Sequence, residues 1–111
     1  MSQGDATGKR TFSYGDARAL LPHVRALTEE AFRKVQEIEG GGVPAESVQA
    51  ETDRAVAEWA RTIMELGLEV KGLWLVDFDN GSGYYCWRYP EDDLSYFHSY
   101  EEGFRGRMRI Q

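Results

Sequence analysis

Residues 73–89 read Leu73-Trp74-Leu75-Val76-Asp77-Phe78-Asp79-Asn80-Gly81-Ser82-Gly83-Tyr84-Tyr85-Cys86-Trp87-Arg88-Tyr89. Two runs rich in β-branched and aromatic residues flank Asn80-Gly81-Ser82-Gly83, and Asn-Gly tolerates the positive φ that tight hairpin turns require. The pattern predicts antiparallel strands over 73–79 and 84–89. If they pair symmetrically about the turn, Asp77 faces Cys86 and Leu75 faces Arg88 on one side of the sheet. Val76, Phe78, Tyr85 and Trp87 then share the other side. The aromatic side is the better core face, because its rings bury the most apolar area.

Working outward, a short strand is expected over 69–71 and another over 94–99, with Pro90-Glu91-Asp92-Asp93 as the turn between strands. A one-residue difference in that turn moves every later side chain to the opposite face. The sequence therefore leaves open which face His98 joins.

Before residue 68 the period changes from two to between three and four. Ser13 and Asp16 have the spacing of a capping box, with Asp in place of Glu, and Ala17, Leu20, Leu21, Val24, Leu27, Ala31, Val35 and Ile38 form one stripe. This is a long amphipathic helix, and Pro22 is expected to kink it or split off its first turns. Gly40-Gly41-Gly42-Val43-Pro44 ends it. A second periodic segment carries Val48, Ala55, Val56, Trp59, Ile63 and Leu66, with Gly67 as the natural C-cap. Two helices on a short link should pack as an antiparallel hairpin against the sheet. The expectation is a single α+β domain over 12–111, a helical hairpin over 12–67 packed on a three- to four-stranded antiparallel sheet, behind a disordered tail over 1–11.

A chain of 111 residues, 41% hydrophobic, 29% charged and 13% aromatic, is one globular domain's worth. A net charge of −6 and a pI near 4.9 oppose a general affinity for nucleic acid or anionic membrane, which requires clustered Lys and Arg. The single cysteine, Cys86, has no internal disulfide partner, which fits a reducing, cytoplasmic compartment. The first ten residues have no apolar core and the longest strongly apolar run is 73–76, so neither a signal peptide nor a membrane span is expected.

The segment from Ala17 to Arg25 (Ala-Arg-Ala-Leu-Leu-Pro-His-Val-Arg), then Gly67-Leu68-Glu69-Val70-Lys71, Leu75-Val76-Asp77-Phe78, Cys86-Trp87-Arg88, Phe97-His98 and Glu102-Gly103-Phe104-Arg105-Gly106-Arg107 resembles the bacterial family catalogued as domain of unknown function 2203. The similarity runs in order along nearly the whole chain after the tail. Two departures are Phe97, where the family often has Trp before the His, and a shorter loop between Asp77-Phe78 and Cys86-Trp87, so no function built on that loop transfers. The resemblance implies a small bacterial cytoplasmic protein of one domain, and it brings no reaction, cofactor or catalytic residue with it.

The richest polar segment is His98-Ser99-Tyr100-Glu101-Glu102-Gly103-Phe104-Arg105-Gly106-Arg107. It gives a candidate site for a small anionic ligand, or a weak enzyme: Arg105 and Arg107 as a bidentate clamp, His98 as acid, base or donor, with Glu102 and Trp87 beside them. The competing reading makes Glu102 and Arg107 a structural ion pair that pins the C-terminus, with Phe104 plugging the core. A metal held by His98, Glu101 and Glu102, with Asp77, lacks the spacing of known sites, and the other histidine, His23, reads as a surface residue. No metal and no cofactor are therefore expected. Cys86 near His98 raises the idea of a thiol nucleophile, but a lone Cys in an aromatic strand reads as a small core residue. Arg105, Arg107 and Arg109 alternate, and if extended they would line one face near Tyr96 and Tyr100, a third reading as an RNA-binding edge that the net charge opposes.

The leading expectation is a non-enzymatic binding module that self-associates into a homodimer. Its apolar surface would come from the helical hairpin or from the free sheet face carrying Leu73, Leu75 and Tyr84.

Overall fold

The computed structural model describes residues 10–111. Two helices, α1 (Tyr14–Glu37) and α2 (Val48–Glu65), precede five strands: β1 (Glu69–Gly72), β2 (Leu75–Asp79), β3 (Gly83–Arg88), β4 (Tyr96–Ser99) and β5 (Met108–Arg109). The strands form one antiparallel sheet in the order β1-β2-β3-β4-β5. The architecture is thus the expected α+β arrangement, a helical hairpin followed by an antiparallel sheet. The sheet has one strand more than expected, because Met108 and Arg109 return to pair with Phe97 and Tyr96. The tail expected over 1–11 lies outside the described residues except for its last two. Of these, Arg10 donates from Nη1 to the Leu66 carbonyl at 2.9 Å.

Helix α1 starts where its cap predicts, the Ser13 hydroxyl accepting from the Asp16 amide at 3.0 Å. It runs from Tyr14 to Glu37 as one helix with Pro22 inside it; the proline does not split off the first turns. Pro22 is exposed, so the carbonyl four residues earlier, deprived of its intrahelical donor, sits on the solvent side where water can satisfy it. The glycine link turns at Gly41, φ 107°, and α2 closes at Gly67, φ 90°, the left-handed geometry that makes glycine a helix terminator.

The hairpin register follows the symmetric pairing: Leu75 opposite Arg88, Val76 opposite Trp87, Asp77 opposite Cys86 and Phe78 opposite Tyr85. The turn is held by Asn80, whose Oδ1 accepts from the amides of Ser82 and Gly83, each at 2.8 Å. Gly81 takes φ 93°. Val76, Phe78 and Trp87 face the helices and form the core with Leu21, Val24, Trp59, Ile63, Leu68, Trp74 and Leu94. All three tryptophans are buried in it. Trp74 reaches it from the β1–β2 turn at φ 61°, a left-handed backbone that places its ring edge-on to Trp59, 5.0 Å between centroids.

One polar chain crosses this core. Trp59 donates from Nε1 to the Thr28 hydroxyl at 2.9 Å, and that hydroxyl donates to the Val24 carbonyl at 2.8 Å, so Thr28, wholly buried, links the two helices. Replacing Thr28 by Val keeps the volume but strands the indole N–H in an apolar interior. The expected loss is about 1–3 kcal/mol of unfolding free energy, read by urea denaturation; an unchanged midpoint would mean the indole finds another acceptor.

Candidate functional site

The second face of the sheet, turned away from the helices, is polar yet closed. Strand β4 pairs with β3 so that His98 lies opposite Tyr84 and Tyr96 opposite Cys86. Cross-strand partners share a face, so His98 joins Asp77 and Cys86, which settles the question the turn at Pro90 left open. Gly83 makes the approach of β4 possible, since a Cβ there would stand 2.6 Å from the His98 carbonyl oxygen.

Asp77 and Cys86 are fully buried and His98 is 3% exposed. One ligating atom from each lies within 4.8 Å of the others. His98 Nε2 is 3.0 Å from Asp77 Oδ2, and Lys71 Nζ approaches the same oxygen at 3.9 Å. Among the described residues, Asp77 Oδ1 has no hydrogen-bond partner, an uncommon condition for a buried carboxylate oxygen.

The state of the imidazole follows from its second nitrogen. His98 Nδ1 lies 2.8 Å from the Ser99 carbonyl, and a carbonyl can only accept, so Nδ1 carries a proton. Nε2 then faces a carboxylate oxygen at 3.0 Å, and two bare lone pairs repel, so a proton on one partner or the other, or a cation, lies between them. Burial raises the carboxyl of Asp77 above the usual carboxylate range, while the charge of His98 and contact with Cys86 and Lys71 oppose the rise. Burial first, and then the charge of Asp77, push the Cys86 thiol up to about 12, against a weaker opposing pull from Arg107.

A polar canopy closes the site. Lys71 Nζ lies 4.1 Å from the centre of the Tyr84 ring, whose hydroxyl donates to Glu69 Oε1 at 3.1 Å. Tyr100 stacks edge-on against Tyr84 at 5.1 Å and donates to Asp79 Oδ1 at 2.7 Å. Tyr84, expected on an open face, is therefore covered. On the other side Arg107 lies 4.0 Å from the centre of the Tyr96 ring and 4.1 Å from that of Phe104.

The residues expected from the sequence to form one site are distributed over several places. Trp87 is wholly buried on the helix side of the sheet, its Nε1 donating to the Glu91 carbonyl at 2.9 Å, and so is separated from His98 by the sheet itself. Arg107 pairs with Glu91, Nη1 to Oε2 at 2.8 Å, not with Glu102. Glu102 is exposed, its amide bonded to Ser99 Oγ at 3.2 Å. Arg105 is exposed on the helical turn Phe104–Gly106. That turn breaks the extended run expected of the three arginines, and only Arg107 and Arg109 flank Tyr96. Glu101 and Glu102 lie outside the buried cluster, and His23 is exposed on α1. The sequence did carry the signal for Asp77 and Cys86 as cross-strand partners; what it lacked was the third partner.

Fold and site together define a small α+β domain with a buried Asp-Cys-His cluster on the sheet face away from its helices. The family model described as "Uncharacterized conserved protein (DUF2203)" matches residues 10–110, and the chain belongs to that family. No curated protein matches it, and no solved structure does. No helix among the described residues is long and apolar enough to cross a membrane.

The buried thiol has a measurable consequence. In chelator-treated protein Cys86 should resist alkylation at pH 8 and react only on unfolding. Its pKa is raised on folding, so its contribution to stability is present below the unfolded value near 9 and is lost as pH rises toward about 12. Alkaline denaturation of Cys86→Ser should accordingly show a flatter limb across that interval. Rapid native-state alkylation would show that the canopy opens.

Proposed function

We propose that this protein is a non-enzymatic binding module whose site is the closed polar face of the sheet, centred on Asp77, Cys86 and His98. The observation that supports this is the orphaned Asp77 Oδ1 on a carboxylate whose other oxygen lies 3.0 Å from His98 Nε2. The Cys86 thiol beside this carboxylate is only a weak donor, and a buried acceptor left without a strong one costs roughly 1–3 kcal/mol. A ligand that brings a donor or a positive charge removes that cost. The geometry favours such a ligand over an anion, because Arg107 is engaged by Glu91 and two rings and Arg105 points from an exposed turn. The buried free thiol accords with a reducing compartment, and we place the protein in the cytoplasm on that ground.

Self-association is a second reading with its own support. Met64, Leu73 and Met108 each expose more than half of their surface (53%, 57% and 54%), and β1 and β5 end the sheet as edge strands that a second copy could extend.

Native mass spectrometry of the full chain, purified without metal-affinity steps, tests both. The site reading expects a stoichiometric extra mass on the wild type that is missing from Asp77→Asn, with the far-ultraviolet circular dichroism unchanged. A bare wild-type chain, or a mass retained by Asp77→Asn, would overturn it. Self-association expects a dimer fraction that grows with concentration, and a monomer at every concentration would remove it.

A further inference from the structure

The ligand class can be named from the donor set, an inference that rests on the site proposed above. We infer that Asp77, Cys86 and His98 hold a divalent transition-metal ion of the zinc type, Zn2+ being the best match. This revises the expectation that no metal binds, which weighs His98, the exposed Glu101 and Glu102, and Asp77, and leaves out Cys86.

The donors are one sulfur, one imidazole nitrogen and one carboxylate oxygen, all buried and within 4.8 Å of one another. Thiolate and imidazole together select zinc-like ions over calcium or magnesium, which take oxygen ligands. Zinc bonds of about 2.0–2.3 Å put tetrahedral ligands roughly 3.5 Å apart, so small side-chain rotations close the set without moving the strands.

The imidazole is already arranged as a ligand. Its Nδ1–H is committed to the Ser99 carbonyl at 2.8 Å, and a backbone carbonyl on the second nitrogen is the usual way a protein fixes a metal-binding histidine. Nε2 is left as a lone pair beside Asp77 Oδ2 at 3.0 Å, and the cation replaces the proton that otherwise separates them. The orphaned Oδ1 of Asp77 offers a further donor atom on the same carboxylate.

Charge supports the same assignment. One thiolate and one carboxylate balance a dication, and with a neutral imidazole the loaded site has no net charge, which a site exposed by 3% or less at each ligand requires. Binding releases the thiol proton and the proton shared by His98 and Asp77. Lys71, its side chain 37% exposed and 3.9 Å from Asp77, marks the side on which the site nears solvent, where water completes the tetrahedron.

Chelator-treated wild-type protein titrated with Co2+ provides the test. The expected result is one Co2+ per chain with a near-ultraviolet thiolate-to-cobalt charge-transfer band, both displaced by Zn2+. Cys86→Ser should abolish the band, and Asp77→Asn should weaken binding at least about tenfold, circular dichroism confirming the fold. The wild-type spectrum reads thiolate ligation by itself, so the result survives a variant that fails to fold. Absence of saturable binding, or binding without the charge-transfer band, overturns the metal. If the wild type then still carries another stoichiometric mass lost in Asp77→Asn, the cation falls and the site stands; if it carries none, both fall.

Discussion

Everything in this domain depends on the register of the β2–β3 hairpin. Asn80 and Gly81 set a turn in which Asn80 Oδ1 caps two amides and Asp79 Oδ1 accepts from Gly81 at 2.9 Å. Because side chains alternate along a strand, that one turn assigns Val76, Phe78 and Trp87 to the helices and Asp77 and Cys86 to the far face. A slip of one residue would put a carboxylate into the aromatic core and expose Trp87 to water, and the free-energy difference between those arrangements is what makes the register unique. The turn is also reinforced from outside: Phe12 donates its amide to the Asp79 carbonyl at 2.8 Å and sets its ring edge-on to Phe78 at 5.6 Å, so the chain leading into α1 is tied to the hairpin.

Such a sheet ordinarily leaves its outer face to water. Here the outer face is closed by side chains from both ends of the sheet, Lys71 and Glu69 from the first strand and Tyr100 and Arg107 from the chain after the fourth. The closure uses cation–ring contacts and phenol–carboxylate hydrogen bonds, because these side chains are long and their heads remain wet. Beneath them the dielectric is low, which strengthens any charge interaction and penalises any unpaired one. The buried thiol and carboxyl are both shifted toward their neutral forms by that burial. A polar cluster kept in these conditions with Asp77 Oδ1 unmet is the physical basis of the proposed binding reading.

The structure places the candidate residues read from the sequence at several points of the fold, for a physical reason. Trp87, His98, Glu102, Arg105 and Arg107 were gathered by nearness along the chain and by chemical type, but nearness along a strand alternates faces. Trp87 went to the core, His98 to the far face, and the arginines to a turn and an edge. Arg107 found Glu91 from the preceding turn in preference to Glu102, only five positions away, because the Phe104–Gly106 helical turn points Glu102 outward and seats its side chain beside Gly106.

Local chemistry by itself determined much of the molecule: the Ser13 cap, the two apolar stripes, the glycine terminators and the Asn-Gly turn are short-range signals, and the elements formed close to where they placed them, except that Leu73 and Trp74 form the β1–β2 turn and not the start of β2. Hence the α+β class, the helical hairpin, the pairing of Asp77 with Cys86 and the choice of core face were legible without coordinates. Tertiary structure alone decided that α1 continues through Pro22, that Met108 and Arg109 add a fifth strand, and above all that β4 sets His98 beside Asp77. That last placement depends on the phase of the turn at Pro90 and on Gly83 leaving room for the His98 carbonyl. No periodicity encodes such a sum of long-range contacts, so Cys86 and Asp77 could each be raised as neighbours of His98 while the face that His98 joins stayed open.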